Sequence, residues 1–329
     1  MPANLPPQYF ETERKLRTAK TPQEKMGILE ELLAIVPKHK GTEKLQALLK
    51  TKIAKLKSSA CLRPAIARHG PSYLIEKSGA GQVIVIGPPN AGKSMLIKAL
   101  SGANPEIGEY PYTTHIPSPY MMKYENVQIQ LIDTPPITPD CIETWLPEMI
   151  KLADGVLFVL DPGSEGAETL FEALLLKLRE RKIELVSENS DIPAEKQLLL
   201  KRTLIVANKM DERPAAENVN NLRILFEGQF EILPVSAWRG DGLKELRMKI
   251  FSLLQIIRVY SKAPGKKIDF DEPFTLKRGS SVLDMARAVH KDFVEKLKYA
   301  KIWSKNKYQG QMVNRDHILE DEDVIELHI

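Results

Sequence analysis

Cysteine is scarce in this chain: there are two among 329 residues, Cys61 and Cys141, far apart in sequence. That excludes a disulfide scaffold or a thiolate zinc site, each of which needs several cysteines at set spacings, and both residues are expected to be free thiols. The six histidines are scattered, with no pair at metal-ligand spacing. No apolar run approaches the roughly 18 residues that a membrane span requires. The N-terminus, MPANLPPQYFETERKLR, lacks the apolar core of a signal peptide, and its acidic residues argue against a transit peptide. A cytoplasmic protein with no membrane partner is therefore expected. Internal repeats and low-complexity tracts are also missing.

What is present is an ordinary globular composition, 43% hydrophobic and 27% charged. The length is too great for most single cores and sufficient for two or three domains. The net charge of +4 is unevenly placed, since residues 1–60 carry 12 Lys/Arg against 6 Asp/Glu. Such a segment suits RNA or another acidic surface, and it equally suits a solvated helical face.

Thr21-Pro22-Gln23-Glu24 combines a capping hydroxyl, a proline for the first helical position and a reciprocal glutamate. The helix it opens carries Met26, Leu29, Leu32, Leu33 and Val36 on one face. A second, after Gly41, carries Leu45, Leu48, Leu49, Ile53 and Leu56, which predicts an antiparallel helical hairpin within a basic region and linker, 1–80. From residue 81 the pattern changes to short β-branched runs, QVIVIG, VQIQLID, GVLFVLD, RTLIVANK and FEILPVSA, alternating with helical stretches. This predicts an α/β domain over 81–260, a mostly parallel sheet with helices on both faces, whose last helix runs over about 241–259. In residues 263–329 KKIDF, PFTLKRG, a helix over about 282–297, AKIWSK and DVIELHI predict a small sheet packed on one helix.

The strand QVIVI runs directly into Gly87-Pro88-Pro89-Asn90-Ala91-Gly92-Lys93-Ser94 and then into a helix beginning at Met95. This is a Walker A loop in the required context: backbone N–H groups and the helix N-terminus surround phosphates, Lys93 reaches the β- and γ-phosphates, and the Ser94 hydroxyl ligates Mg²⁺. The base is specified by Asn208-Lys209-Met210-Asp211. A carboxylate at Asp211 accepts from guanine N1–H and the 2-amino group together, and adenine offers no such donor pair. Asn208 is expected to brace this loop and Lys209 to stack along the base. Ser236-Ala237-Trp238 supplies a companion loop in which the Ala237 N–H meets guanine O6. GTP and GDP are the expected ligands.

Asp133-Thr134-Pro135-Pro136 follows VQIQLI and places Asp133 to hold Mg²⁺ through water. The fourth residue of this motif is usually a glycine whose N–H binds the γ-phosphate, and Pro136 has no N–H. Ile137 occupies the position at which many small GTPases carry a water-orienting glutamine. Tyr110-Pro111-Tyr112-Thr113-Thr114 lies where a first switch belongs. Thr114 is the preferred second hydroxyl on Mg²⁺ and Thr113 the alternative, against a plain surface loop. Lys93 and Thr114 are the residues expected to act in catalysis.

Together these motifs resemble the Obg-type GTPases, in particular the developmentally regulated GTP-binding (DRG) branch. YPYTT is similar to that family's first-switch signature, and Val36-Pro37-Lys38-His39-Lys40-Gly41-Thr42-Glu43-Lys44-Leu45 resembles its IPKHKGTEKL stretch. HKDFVEKLKYAKIW and HILEDEDVIEL resemble a TGS domain, which has a ubiquitin-like β-grasp fold. The resemblance implies GTP hydrolysis, a nucleotide-switched conformation and association with ribosomes or other RNA.

Three departures stand out: Pro136, the lack of a glycine-rich stretch after that motif, and a short 163–201 connection where DRG proteins insert a small domain. A hydrophobic residue at the position of Ile137 is normal for the family. DRG-like loops commonly read Ser-Val-Gly-Lys-Ser, whereas this one has Asn90-Ala91. In other GTPases with this form of loop, such an asparagine holds K⁺ beside the phosphates in place of an arginine finger, which makes Asn90 a candidate K⁺ ligand. Without a visible water activator, a non-hydrolysing, nucleotide-dependent binding protein is the competing expectation.

In the TGS-like region, residues 287–315 carry 8 Lys/Arg against 2 acids, and 316–326 carry 6 acids and no Lys/Arg. Tyr299, Trp303 and Tyr308 beside the basic stretch suit stacking on RNA, and equally the core of a β-grasp. The acidic run is expected to be a solvated turn.

Overall fold

The structure, a computed structural model, describes residues 12, 28–29, 31–33, 35–36, 46–52, 75–103, 116–187, 198–264, 268, 270–304 and 309–328. The chain forms two compact units, Met1–Ser72 with Cys141–Glu143, and Tyr73–Asp140 with Thr144–Ile329. In the first, helical residues within 28–35 and 46–52 pack Leu29, Leu32 and Val36 against Leu49, the apolar positions that the sequence assigns to facing helices. Thr21–Glu24 lie outside the described residues. Cys141 is disulfide-bonded rather than a free thiol, because spacing along the chain does not reveal which thiols meet; Cys61 lies outside the described residues.

The second unit is built on two sheets. In the larger, β1 (Gln82–Ile86) lies between β3 (Val127–Asp133) and β4 (Gly155–Leu160), all parallel. On the far side of β4 runs β6 (Leu199–Ala207), also parallel, with β5 (Ile183–Ser187) and β7 (Ile232–Pro234) parallel to its first and last residues. The edge strand β2 (Ser118–Tyr124) is antiparallel to β3.

Every residue of β1 and β4 is buried, as strands covered on both faces must be. On one face Val83 and Val85 meet Leu96 and Ile97 of α1 (Lys93–Ser101) and Leu246 and Ile250 of α5 (Leu243–Leu253). On the other, Phe158 of β4 meets Phe171 of α3 (Ala167–Glu180) edge-on at 4.7 Å, and Phe171 meets Phe226, just after α4 (Arg213–Leu225), at 4.8 Å. The short helix α2 (Leu146–Leu152) precedes β4. The sequence does not announce β2, which carries Pro119 at a sheet edge where a missing N–H is tolerated, or β5, which occupies part of the short 163–201 connection.

The second sheet has the order β11-β10-β12-β8-β9. Its strands are β8 (Ile256–Ser261), β9 (Phe274–Lys277), β10 (Tyr299–Trp303), β11 (Gln309–Val313) and β12 (Asp323–His328). The helices are α6 (Val282–Val289) and α7 (Lys291–Lys296). Here the structure departs from the sequence expectation. The helix expected to reach 259 ends at Leu253, Gln255 adopts a left-handed φ of 51°, and the β-branched run IIRVYS that follows becomes the sheet's first strand. Of KKIDF, residues 268 and 270 are described, and they are neither helical nor extended in a sheet. The single helix expected to reach 297 is broken at His290, whose extended backbone starts α7 with Nδ1 accepting from the Asp292 N–H at 3.2 Å.

Ala300 and Ile302 are buried in the second core, so strand alternation puts Trp303 on the opposite face, half-buried beneath the Lys262 ammonium at 4.2 Å. Tyr299 stacks on His328, and Tyr308 lies outside the described residues. The acidic turn is not simply solvated. Arg258 of β8 is 4% exposed, and its backbone N–H and guanidinium both bind Asp321, each at 2.7 Å. Arg258 also binds Glu322 at 3.1 Å and Glu125 of the β2–β3 turn, and lies 5.1 Å from the ring of Phe251 on α5. Burial opposes its charge, and the Asp321 and Glu125 bonds more than offset this, holding the guanidinium above its ordinary value. Asn126 donates to the Tyr260 hydroxyl at 2.6 Å and to the Phe270 carbonyl at 2.9 Å. The β2–β3 turn is thus tied to the second sheet.

Candidate functional site

Residues singled out on four separate segments meet at the carboxyl ends of β1, β3, β6 and β7, where the sheet order turns back on either side of β1. β1 delivers Gly87 with φ 152°, and a Cβ there would lie 2.2 Å from the Val159 carbonyl oxygen, so the loop passes β4 only with glycine. Gly92, φ 85°, caps α1 without a side-chain acceptor, leaving the first-turn N–H groups facing the loop. Between them Ala91 is buried and Asn90 is exposed with a left-handed φ of 59°, a conformation asparagine tolerates. Pro88 is buried, while Pro89 and Met95 are half-buried, Met95 against the core.

Lys93 turns back over its own loop and donates to the Gly87 and Pro88 carbonyls, both at 3.0 Å. Burial pushes this ammonium down to about 8, against the opposing effect of the Asp133 carboxylate. At the next position the Ser94 hydroxyl donates to Asp133 Oδ2 at 2.7 Å. A hydroxyl and a carboxylate oxygen placed together are the hard oxygen donors that suit Mg²⁺. Thr134 is fully buried and its hydroxyl donates to the Val85 carbonyl at 2.7 Å; Pro135 is buried and Pro136 half-buried. Tyr112, Thr113 and Thr114 lie outside the described residues.

On the opposite side Asn208 joins two loops. Its amide N–H donates to the Ala91 carbonyl at 2.9 Å, and its Oδ1 accepts from the Ala237 N–H at 3.0 Å. A Cβ on Gly92 would lie 2.3 Å from the Asn208 amide nitrogen, so this packing also selects glycine. The Ala237 N–H, expected to face guanine O6, is therefore directed to Asn208 here. Asp211 Oδ1 accepts from the Ser236 hydroxyl at 2.5 Å, and this bond leads the effects that hold its carboxyl below the ordinary value; the Arg239 and Lys209 charges add to it. The Met210 N–H binds the Val235 carbonyl at 3.2 Å.

Lys209 has a left-handed φ of 63° and pairs with Asp161 at 2.8 Å, rather than standing alone beside a base. Asp161 was not singled out in the sequence, although it follows the apolar strand GVLFVL just as Asp133 closes VQIQLID. Trp238 is 76% exposed at the tip of the companion loop.

A parallel sheet presenting a glycine loop with its lysine, a Ser–Asp oxygen pair and an Asn/Asp loop braced to a second loop defines the P-loop GTPase class. Residues 82–209 match the family described as 50S ribosome-binding GTPase, and residues 257–329 match the TGS domain. The chain is 30% identical to an uncharacterized GTP-binding protein of Methanocaldococcus jannaschii, over 93% of each chain. It is 29% identical to developmentally-regulated G-protein 1 of Arabidopsis thaliana, over 92% of this chain and 91% of the relative. A solved GTP-binding protein of Pyrococcus horikoshii aligns with 75% of this chain and 99% of its own at 15% identity, with a TM-score of 0.45. The chain belongs to the DRG family of GTP-binding proteins.

Proposed function

We propose that this chain binds GTP and GDP with Mg²⁺ and hydrolyses GTP slowly, acting as a cytoplasmic conformational switch in ribosome- or RNA-associated processes. The observation that carries the reading is Asn208, which ties the phosphate loop to the guanine-reading loops through two hydrogen bonds and so sets base and phosphate contacts on one frame. In this reading the N–H groups of residues 87–95 take the phosphates and Lys93 leaves its loop carbonyls to neutralise them. Asp211 reads guanine while Lys209, anchored by Asp161, lies along the base.

Ser94 and Asp133 would hold Mg²⁺, with Thr114 adding a hydroxyl when the third phosphate is present; bound there, the ion would neutralise charge on the phosphates. The work divides between the G domain built on the larger sheet, a basic helical region over 1–80 and the TGS domain, which β8 opens ahead of the expected boundary at 263, the outer two meeting ribosome or RNA. The name of the matched family, 50S ribosome-binding GTPase, supports that choice of partner. No helix among the described residues is long and apolar enough to cross a membrane.

Phosphate release by purified protein, with and without 50S subunits, in KCl and in NaCl, tests the reading. Slow turnover that Lys93→Ala abolishes is expected, and faster turnover in KCl if Asn90 holds K⁺. Equal rates in the two salts would remove the K⁺ role, and full turnover by Lys93→Ala would overturn the cradle. A second reading, nucleotide binding without turnover, is favoured by Pro136. Tight GTP and GDP binding with no phosphate released even on 50S subunits would establish it.

A further inference from the structure

The segment after β3 is pinned to β1 and to the start of the phosphate loop by bonds that involve no nucleotide. The Thr134 hydroxyl holds the Val85 carbonyl, and the Ile137 N–H donates to the Gly87 carbonyl at 3.0 Å. Ile137 is 1% exposed, so its side chain anchors the same point from the apolar side. The acceptor is fixed as well, because Gly87 sits against the β4 backbone with no space for a side chain. Gly87 O also accepts from Lys93, but an oxygen with two lone pairs keeps the Ile137 bond when phosphates draw the lysine away. Between the anchors stand Pro135 and Pro136, which have no N–H to offer a phosphate and whose φ angles are locked by their rings.

We infer that residues 134–137 form a fixed strut that does not read the third phosphate, and that Pro136 is the residue that withholds this recognition. The inference rests on guanine-nucleotide binding at this site. A strut held equally in both nucleotide states leaves discrimination between triphosphate and diphosphate to the rest of the site. Replacing Pro136 by glycine supplies an N–H and frees the backbone to turn it toward a charged oxygen.

The test compares dissociation constants for GDP and a non-hydrolysable GTP analogue on the full chain and on Pro136→Gly. A charged-acceptor hydrogen bond gained only by the triphosphate shifts the ratio of the two constants toward the analogue by about tenfold or more, with GDP affinity unchanged. An unaltered ratio in a folded variant would overturn the inference. Independently of any variant, hydrogen exchange at Ile137 in the wild-type chain should show equal protection with GDP and with the analogue. Protection that differs between the two states sinks the strut while leaving nucleotide binding intact. Failure of the wild-type chain to bind either nucleotide overturns the binding reading and the strut with it.

Discussion

The two sides of the nucleotide site are built differently. On the proposed base side Asn208 bonds Ala91 and Ala237 while Asp211 accepts from Ser236, so the carboxyl proposed to read guanine is held below its ordinary value before any ligand arrives. On the phosphate side Lys93 is folded over its own loop at a lowered pKa, and the segment beyond Asp133 carries two prolines where a donor would stand. On the proposed reading, recognising which nucleotide is present is preorganised, and reporting how many phosphates it carries requires rearrangement.

The largest effect should come from breaking the base side alone. Asp211→Asn removes the charge proposed to accept two guanine donors, and the preference for GDP over ADP in competition titrations should fall by about 10³-fold or more, since a site built to pair polar groups rejects analogues by about 10⁴–10⁵. The ratio of GTP-analogue to GDP affinity should stay where it was, because this residue faces no phosphate. A variant that keeps its guanine preference would mean that another group reads the base.

The phosphate side can be probed by pH. Phosphates favour charged Lys93, but in the free protein burial pushes this group down to about 8. Below that value the ammonium is already charged and affinity is full. Above it each binding event must take up a proton, so GDP affinity should fall by up to about tenfold per pH unit until the pKa of the bound state is reached. Calorimetry in buffers of different ionisation enthalpy would count that proton, and Lys93→Ala should lack the uptake.

The smallest effect is the one that joins both sides. Asn208→Ala leaves the Ala91 carbonyl and the Ala237 N–H without their shared partner, a loss of about 1–3 kcal/mol. Lower thermal stability and a matched fall in GDP and GTP-analogue affinity are expected. A loss confined to one nucleotide would show that Asn208 serves one side rather than bridging the two.

Much of the larger sheet is legible in the chain because its buried parallel strands are unbroken β-branched runs: QVIVI, VQIQLID and GVLFVL each become a strand. Strands with weaker signatures escape notice. SPYMMKY carries a proline and two methionines yet pairs with β3 along its whole length, and IIRVYS continues the apolar spacing of α5 although Gln255, just before it, has already turned the chain. In the candidate site, the loop 87–94 and the residues 208–211 stand out because their chemistry is contained in a few consecutive residues. The Asp161 partner of Lys209 does not, since an aspartate after a strand is common and only the fold brings the two within 2.8 Å.

By itself, then, the sequence determined the glycine–lysine loop at 87–94, the Asn208–Asp211 and Ser236–Trp238 motifs and the absence of a donor at Pro136, because each depends on residue types at fixed local spacing. Only the tertiary structure decided that the Ile137 N–H is engaged by Gly87, that the Ala237 N–H goes to Asn208, and that Arg258 gathers Glu125, Asp321 and Glu322 across two sheets. Those partners lie tens to over a hundred residues apart along the chain. A hydrogen bond forms only where strand pairing and core packing bring donor and acceptor within about 3 Å, a distance that local pattern does not encode.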